Sequence, residues 1–253
     1  MWRDYNVTTV KKIGDRYKIS NLNMIHGGDP EQDRREWGES GVRLPNNVVR
    51  ARTAVKELAM CNDWQWFVTL TLNRDLHDGY DLKAYNKRLD QFIRDQNKRR
   101  DLADKITYIL VPERHKDGAW HMHGLLGGLR EADLYRNEYG YLGWKPYERS
   151  FGFLSLGSIR DRDRCITYVS KYISKSLAVD VAESGAHLYY RSRGLKEPEL
   201  IFSGQAEYKG AWDWTHPEGF SRVSYARHME NVRIIDEIEQ LYAYDEQDGR
   251  AEV

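Results

Sequence analysis

Residues 106–126 read ITYILVPERHKDGAWHMHGLL, and this stretch decides the fold because it carries two strands and the turn between them. Residues 106–114 and 119–126 are rich in apolar and β-branched side chains, as strands are. Residues 116–118, Lys-Asp-Gly, are typical of a three-residue hairpin loop in which glycine takes the left-handed position. We therefore predict an antiparallel hairpin at the centre of the fold.

The register of this hairpin predicts a cluster of polar side chains. Side chains alternate between the faces of a strand, so His121 and His123 point the same way. Counting outward from the loop places Glu113 opposite His121 and Val111 opposite His123, and directly opposite residues share a face. Two imidazoles and a carboxylate suit a divalent ion such as Mg²⁺ or Mn²⁺. A slip of one residue would move Glu113 to the other face.

The elements around the hairpin predict the fold class. Asp81 is placed as an N-cap, and residues 64–73 alternate so that Phe67, Thr69 and Thr71 share one face. In chain order we predict a helix over 47–60, a strand over 64–73, a helix over 81–100, the hairpin, a strand over 151–159, and a helix from Asp161 or Asp163 to about 177. This order indicates an α+β domain with helices packed on a largely antiparallel sheet.

The last predicted helix carries a second group of reactive residues. Residues 168–175 read YVSKYISK. At 100° per residue, Ile166, Val169, Ile173 and Leu177 form an apolar stripe, and the opposite side carries Tyr168, Lys171, Tyr172 and Lys175. A tyrosine hydroxyl can attack a phosphodiester, and a nearby lysine can neutralise phosphate charge. The alternative is a solvated face without a function.

Composition limits the class of protein. The 253 residues include 39 basic and 39 acidic side chains and only two cysteines. The cysteine count excludes a disulfide scaffold and favours a reducing compartment. We find no apolar run of membrane-spanning length and no secretory signal, so we expect a cytoplasmic protein without a membrane partner.

The distribution of charge predicts three regions. We expect residues 1–48 to be an irregular extension, residues 49–215 to form the catalytic domain, and residues 216–253 to be an acidic helical tail. The body outside the tail is mildly basic. Side chains that could contact phosphates are Lys98, Arg99, Arg100, Arg191 and Arg193. A solvated surface is the alternative for each of them.

Three segments together resemble a known family. They are residues 67–72 (FVTLTL), residues 121–123 (HMH) and residues 168–175 (YVSKYISK), in that order. This combination resembles the HUH endonuclease superfamily, and specifically the two-tyrosine initiators of rolling-circle replication in phages and plasmids. The resemblance implies a five-stranded antiparallel sheet flanked by helices. It also implies a divalent metal bound by His121, His123 and Glu113, with Tyr168 and Tyr172 as nucleophiles assisted by Lys171 and Lys175.

The resemblance further implies a reaction and partners. In a bacterial host, the protein would nick single-stranded or melted origin DNA through a 5′-phosphotyrosine link, and a second transfer would rejoin the strand. No Walker A sequence is present, so a host helicase would be a separate partner. The alternatives are an HUH transposase or relaxase, a non-catalytic DNA-binding protein on the same fold, and a metal hydrolase unrelated to DNA. The oligomeric state stays open.

Overall fold

The computed structural model describes residues 3–26, 46–215 and 221–235. Strands account for most of the regular structure in these ranges. In chain order they are β1 (Arg3–Ile13), β2 (Arg16–His26), β3 (Trp66–Thr71), β4 (Thr107–Arg114), β5 (Trp120–Gly127), β6 (Leu134–Arg136), β7 (Leu142–Trp144), β8 (Leu154–Ser158), β9 (Tyr190–Arg191), β10 (Glu199–Gly204), β11 (Ala206–Tyr208), β12 (Trp214–Thr215), β13 (Ser221–Ala226) and β14 (Val232–Ile234).

The helices lie between β2 and β9 in the chain. They are α1 (Asn46–Cys61), α2 (Leu82–Asn97), α3 (Lys145–Ser150), α4 (Arg162–Lys171) and α5 (Lys175–Ser184), with short 3-10 turns at Leu102–Asp104 and Glu131–Asp133. Within the described ranges, no helix combines the length and the apolar character that crossing a bilayer requires.

The chain divides into two compact units. One is Val42–Glu197, and the other combines Met1–Gly41 with Pro198–Val253. These bounds differ from the predicted ones after residues 48 and 215. The first unit contains α1 to α5 and β3 to β9, and it includes all of the predicted catalytic residues.

The sheet of the first unit confirms the predicted α+β class. Its five strands have the order β8-β3-β5-β4-β9, and every neighbouring pair is antiparallel. The strand with the two histidines, β5, is therefore the central one. A central strand is paired on both sides, so side chains on it are held more rigidly than side chains at an edge.

Local sequence explains how the helices attach to this sheet. The Asp81 side chain accepts a hydrogen bond from the Ala84 amide at 2.9 Å, which confirms Asp81 as the N-cap of α2. The apolar residues of α2 follow the helical period and are buried, and among them are Tyr85 and Leu89. The Tyr85 hydroxyl also hydrogen-bonds the buried Tyr147 hydroxyl of α3 at 2.7 Å.

The predicted hairpin register is confirmed. Glu113 lies opposite His121, and Val111 lies opposite His123. The His115 amide donates to the Ala119 carbonyl at 2.9 Å, which closes the loop at the predicted pair. Gly118 has a φ of +88°, a conformation that side chains with a Cβ adopt only with strain.

The predicted single helix through residue 177 is wrong, because it is two helices. Tyr172 is the C-cap of α4, and the Ser174 hydroxyl accepts from the Leu177 amide at 3.1 Å to cap α5. A serine side chain that bonds a nearby backbone amide competes with helix continuation, so the chain breaks at residues 172–174. The apolar stripe is nevertheless buried on both sides of the break, as Ile173 and Leu177 show.

The second unit corrects the predictions for both ends of the chain. Residues 3–26 are not irregular, because β1 and β2 pair along their whole length around a tight turn in which Gly14 has a φ of +64°. They join a sheet of order β10-β1-β2-β13-β12, and β11 pairs with β14 in a separate ribbon. The predicted helical tail is wrong over Ser221–Ala226 and Val232–Ile234, which are strands. Its remainder (216–220 and 236–253) and residues 27–45 of the predicted extension lie outside the described residues.

Candidate active site

Two threonines of β3 face the two histidines of β5. Thr69 is paired with His123, and Thr71 with His121. The threonine hydroxyls lie 3.0 Å and 2.9 Å from the Nδ1 atoms of His123 and His121, respectively. Both Nδ1 atoms are therefore occupied by hydrogen bonds, and only the Nε2 atoms of the two rings are left for other partners.

Glu113 completes this face from the other side. Its Oε2 lies 2.6 Å from Nε2 of His123. The geometry does not satisfy a hydrogen bond, so the buried Nε2 atom has no hydrogen-bond partner within the described part of the chain. The contact is thus an electrostatic one between a carboxylate and an imidazole edge.

Burial favours the neutral form of both histidines. It lowers the pKa of His121, with smaller contributions from His115 and His123. It also lowers the pKa of His123, although the neighbouring Glu113 carboxylate opposes the shift. An uncharged imidazole is the form that binds a metal ion, so the local environment suits that role.

A third histidine lies on the same face and was missed in the sequence. The His115 ring stacks on His121 with centroids 3.7 Å apart and an angle of 16° between the planes. The signal was present, because the alternation that places Glu113 on this face also places His115 there. His115 is exposed, beside the hairpin loop.

The chemistry of these side chains fits a divalent ion. In the ranges that the structure describes, no three His, Cys, Asp or Glu side chains are already arranged as a metal site. However, Glu113, His121 and His123 share one face, and the Nε2 of His123 is a buried donor atom without a hydrogen-bond partner. These three residues would hold such an ion through one carboxylate and two imidazole Nε2 atoms.

The two tyrosines lie against this cluster. The Tyr172 ring stacks on His123 with centroids 4.3 Å apart and an interplanar angle of 6°. Its hydroxyl donates to the Tyr168 hydroxyl at 2.9 Å, and the Tyr168 ring packs 5.5 Å from Phe67. Tyr168 is 52% exposed, so one phenol is open to solvent beside the histidine face. Burial, with the hydrogen bond to Tyr168, raises the pKa of Tyr172.

A cavity of about 290 Å³ adjoins the tyrosines. Glu113, both tyrosines and Lys171 are among its lining residues, and so is Arg114, which sequence analysis did not single out. Lys175, predicted to act with Lys171, is not among the lining residues because the helix break gives it a different position. The cavity thus places two cationic side chains beside the phenols.

The five predicted phosphate contacts have different surroundings. The side chain of Arg100 is only 5% exposed, and its guanidinium donates to the Gly128 carbonyl at 2.7 Å and pairs with Asp133, so it is a structural residue. Lys98 pairs with Asp95 at 2.7 Å, and Arg191 pairs with Glu197. The other two predicted contacts, Arg99 and Arg193, are exposed.

Residues 65–177 match the model of one family, described as Replication-associated protein ORF2. This stretch is similar to Rep-type proteins. We call it the Rep-like segment; it contains β3, both histidines and both tyrosines, and it covers just under half of the chain. A search of curated proteins and a search of solved structures each found no match.

Proposed function

We propose that the protein is a replication initiator that cleaves single-stranded DNA through a covalent phosphotyrosine link and rejoins the strand. The proposal depends on one observation above all. The phenol ring of Tyr172 stacks on the imidazole of His123, and its hydroxyl is hydrogen-bonded to Tyr168. Two nucleophiles are thus placed beside a face that fits a divalent ion.

In the first step, a tyrosine oxygen attacks the scissile phosphorus. A tyrosine–phosphorus bond forms, and the bond from phosphorus to the 3′ oxygen breaks. The phenol loses its proton and the leaving 3′ oxygen gains one, so the products are a 5′-phosphotyrosine and a free 3′-hydroxyl. Each step exchanges one phosphodiester for another, so no external energy source is needed.

The surrounding side chains have distinct tasks in this reaction. Glu113, His121 and His123 would hold a divalent ion, which when bound polarises the scissile phosphate. Lys171 and Arg114 line the cavity beside the phenols and offset the negative charge of the phosphate. The Tyr168 hydroxyl accepts the Tyr172 hydrogen bond; once the Tyr172 proton leaves, the Tyr168 hydroxyl can turn to donate to that oxygen and stabilise its negative charge.

The second phenol allows a second transfer without release of the DNA end. Tyr168 and Tyr172 are four residues apart, and their hydroxyls are within hydrogen-bond distance of each other. Whichever oxygen carries the first link, the other is close enough to attack a second phosphate held at the same place. Closing a circle then requires the free 3′-hydroxyl to reverse the first link.

The substrate that fits best is unpaired DNA. Phe153 is 60% exposed, and its carbonyl accepts from the Thr71 amide at 2.9 Å, so it continues β8 on the same face as Thr71. An exposed aromatic ring on the site face offers a stacking surface for an unpaired base. The family match favours replication initiation over the transposase and relaxase alternatives.

Covalent capture of a labelled strand tests this function. The full chain is incubated with labelled single-stranded oligonucleotides and Mn²⁺, and adducts that resist SDS are counted. We expect an adduct with the natural chain and at least a hundredfold loss in the double variant Tyr168→Phe, Tyr172→Phe, because only the attacking oxygens are removed.

The matched control is a second pair of tyrosines. Tyr139 and Tyr141 are 75% and 69% exposed at the β6–β7 turn, so Tyr139→Phe with Tyr141→Phe should leave the adduct unchanged. Cleavage without any adduct would indicate hydrolysis instead. An adduct that persists in the Tyr168 and Tyr172 double variant would sink the assignment of the nucleophiles.

A further inference from the structure

We propose that Thr69 and Thr71 are positioning residues that fix the orientation of the two histidines so that both Nε2 atoms face a divalent ion. This inference rests on the proposed function, and it adds two residues of β3 to the site. Neither threonine touches the DNA or the ion in this proposal. Each acts through the imidazole that lies opposite it.

The first support is the cross-strand pairing. Thr69 is directly opposite His123, and Thr71 is directly opposite His121, with hydroxyl-to-Nδ1 distances of 3.0 Å and 2.9 Å. The same contact thus occurs twice, two residues apart along β3. Threonine is stiff at χ1, so the strand geometry fixes where each hydroxyl lies.

The second support is that each ring has one stacking partner and one hydrogen bond at its edge. His121 stacks on His115, and His123 stacks on Tyr172. A stacked neighbour fixes the plane of an imidazole, but it does not distinguish the ring from the same ring flipped by 180°. The threonine hydroxyl makes that distinction, because a flip would replace Nδ1 by a carbon.

The third support is that a hydroxyl can serve both states of the site. Without an ion, Nε2 of His123 lies 2.6 Å from the Glu113 carboxylate, and a proton on that nitrogen leaves Nδ1 as an acceptor for the Thr69 hydroxyl. When Nε2 binds an ion, the proton moves to Nδ1, which then donates to the same oxygen. Partners of this kind at the second ring nitrogen fix the tautomer of metal-binding histidines.

The test is Mn²⁺ affinity of the full chain, measured by titration without DNA. The double variant Thr69→Val, Thr71→Val keeps the shape of both side chains and removes both hydroxyls. We expect it to bind Mn²⁺ about 10- to 100-fold more weakly than the natural chain. Thr69→Ser with Thr71→Ser keeps the hydroxyls and should restore affinity to within about threefold. Thr107→Val, at the far end of β4, is the control and should change nothing.

The outcomes separate this inference from the proposed function. Equal affinity in the valine variant and the natural chain overturns the positioning role, and so does an equal loss in the valine and serine variants. If the natural chain itself binds no Mn²⁺ at millimolar concentration, the metal site of the proposed function fails first, and this inference fails with it. An adduct assay on the same samples reports on the tyrosines separately.

A second measurement does not depend on whether the valine variant folds. Nitrogen-15 spectra of the natural chain report which ring nitrogen of His121 and His123 carries the proton. With saturating Mg²⁺, we expect both rings to carry it on Nδ1. A proton on Nε2 of either ring in the Mg²⁺-loaded protein would overturn the proposal.

Discussion

At the scale of single residues, Arg99 and Arg100 are neighbours with opposite surroundings. The Arg100 side chain is enclosed against Asp133 and the Gly128 carbonyl, whereas Arg99 is exposed. Arg100→Ala leaves a partly buried carboxylate and a carbonyl without this partner, so we expect it to lower the free energy of unfolding by about 2–3 kcal/mol. Urea denaturation measures this cost.

Arg99→Ala is the matched control for this prediction. A surface substitution away from any special feature should change the free energy of unfolding by no more than about 0.5 kcal/mol. Equal costs for the two variants would contradict the structural role of Arg100 and would return it to the candidates for phosphate contact.

The two histidines of β5 predict how stability depends on pH. Burial lowers the pKa of His121 and of His123, so below about pH 6.5 the unfolded chain binds more protons than the folded protein. Their contribution to stability is complete above that pH and is lost as the pH falls through the lower pKa of the folded state. We expect urea denaturation without metal to give a lower free energy of unfolding at pH 5.5 than at pH 7.5.

The variant His121→Gln with His123→Gln isolates their share of this dependence. Because it removes both titrating groups, its loss of stability between pH 7.5 and pH 5.5 should be smaller than in the natural chain. An identical loss in the two proteins would show that other groups cause the pH dependence.

At the scale of elements, the central strand leaves no room for a side chain at Gly124. A Cβ there would lie 1.9 Å from the Ile109 carbonyl oxygen of β4, whereas a Cβ at Gly157 on the edge strand β8 would have its nearest neighbour at 3.7 Å. We expect Gly124→Ala to cost at least about 3 kcal/mol of stability. Gly157→Ala should cost less than about 1 kcal/mol, and thermal unfolding that ranks the two the other way would contradict the close approach of β4 and β5.

The elements also show what the sequence could and could not predict. The register of the β4–β5 hairpin followed from a three-residue loop, because a short loop leaves few ways to pair its strands. The break after Tyr172 was not foreseen, since Ile173 and Leu177 keep the helical spacing across it. Only the capping hydrogen bond of Ser174 marks the break, and a serine within an apolar period is a weak signal.

At the scale of the whole molecule, the Val42–Glu197 unit contains the complete candidate site and the Rep-like segment. It has its own five-stranded sheet and its own buried core. We therefore expect residues 42–197, expressed alone, to unfold cooperatively in urea and to form the tyrosine adduct with single-stranded DNA. A folded fragment without the adduct would show that the reaction needs the other unit.

The other unit was the least predictable part of the chain. The β1–β2 hairpin has a local signal, the Gly14-Asp15 turn, which the many polar residues around it obscured. The pairing of β2 with β13 has none, because Leu22 and Ser221 are far apart in the chain and nothing in either strand names its partner. Local patterns predict local pairs, and distant pairs depend on the packing of the whole unit.

The break between α4 and α5 gives the two phenols unequal freedom. Tyr168 is held within the last full turns of a helix, whereas Tyr172 ends that helix and is followed by two residues outside it. Chain ends of helices fray at little cost, so the backbone at Tyr172 can pivot while that of Tyr168 stays in place. In an exchange of strands, one oxygen must keep hold of a DNA end as the other moves to the next phosphate, and this chain builds the anchor and the arm into adjacent turns.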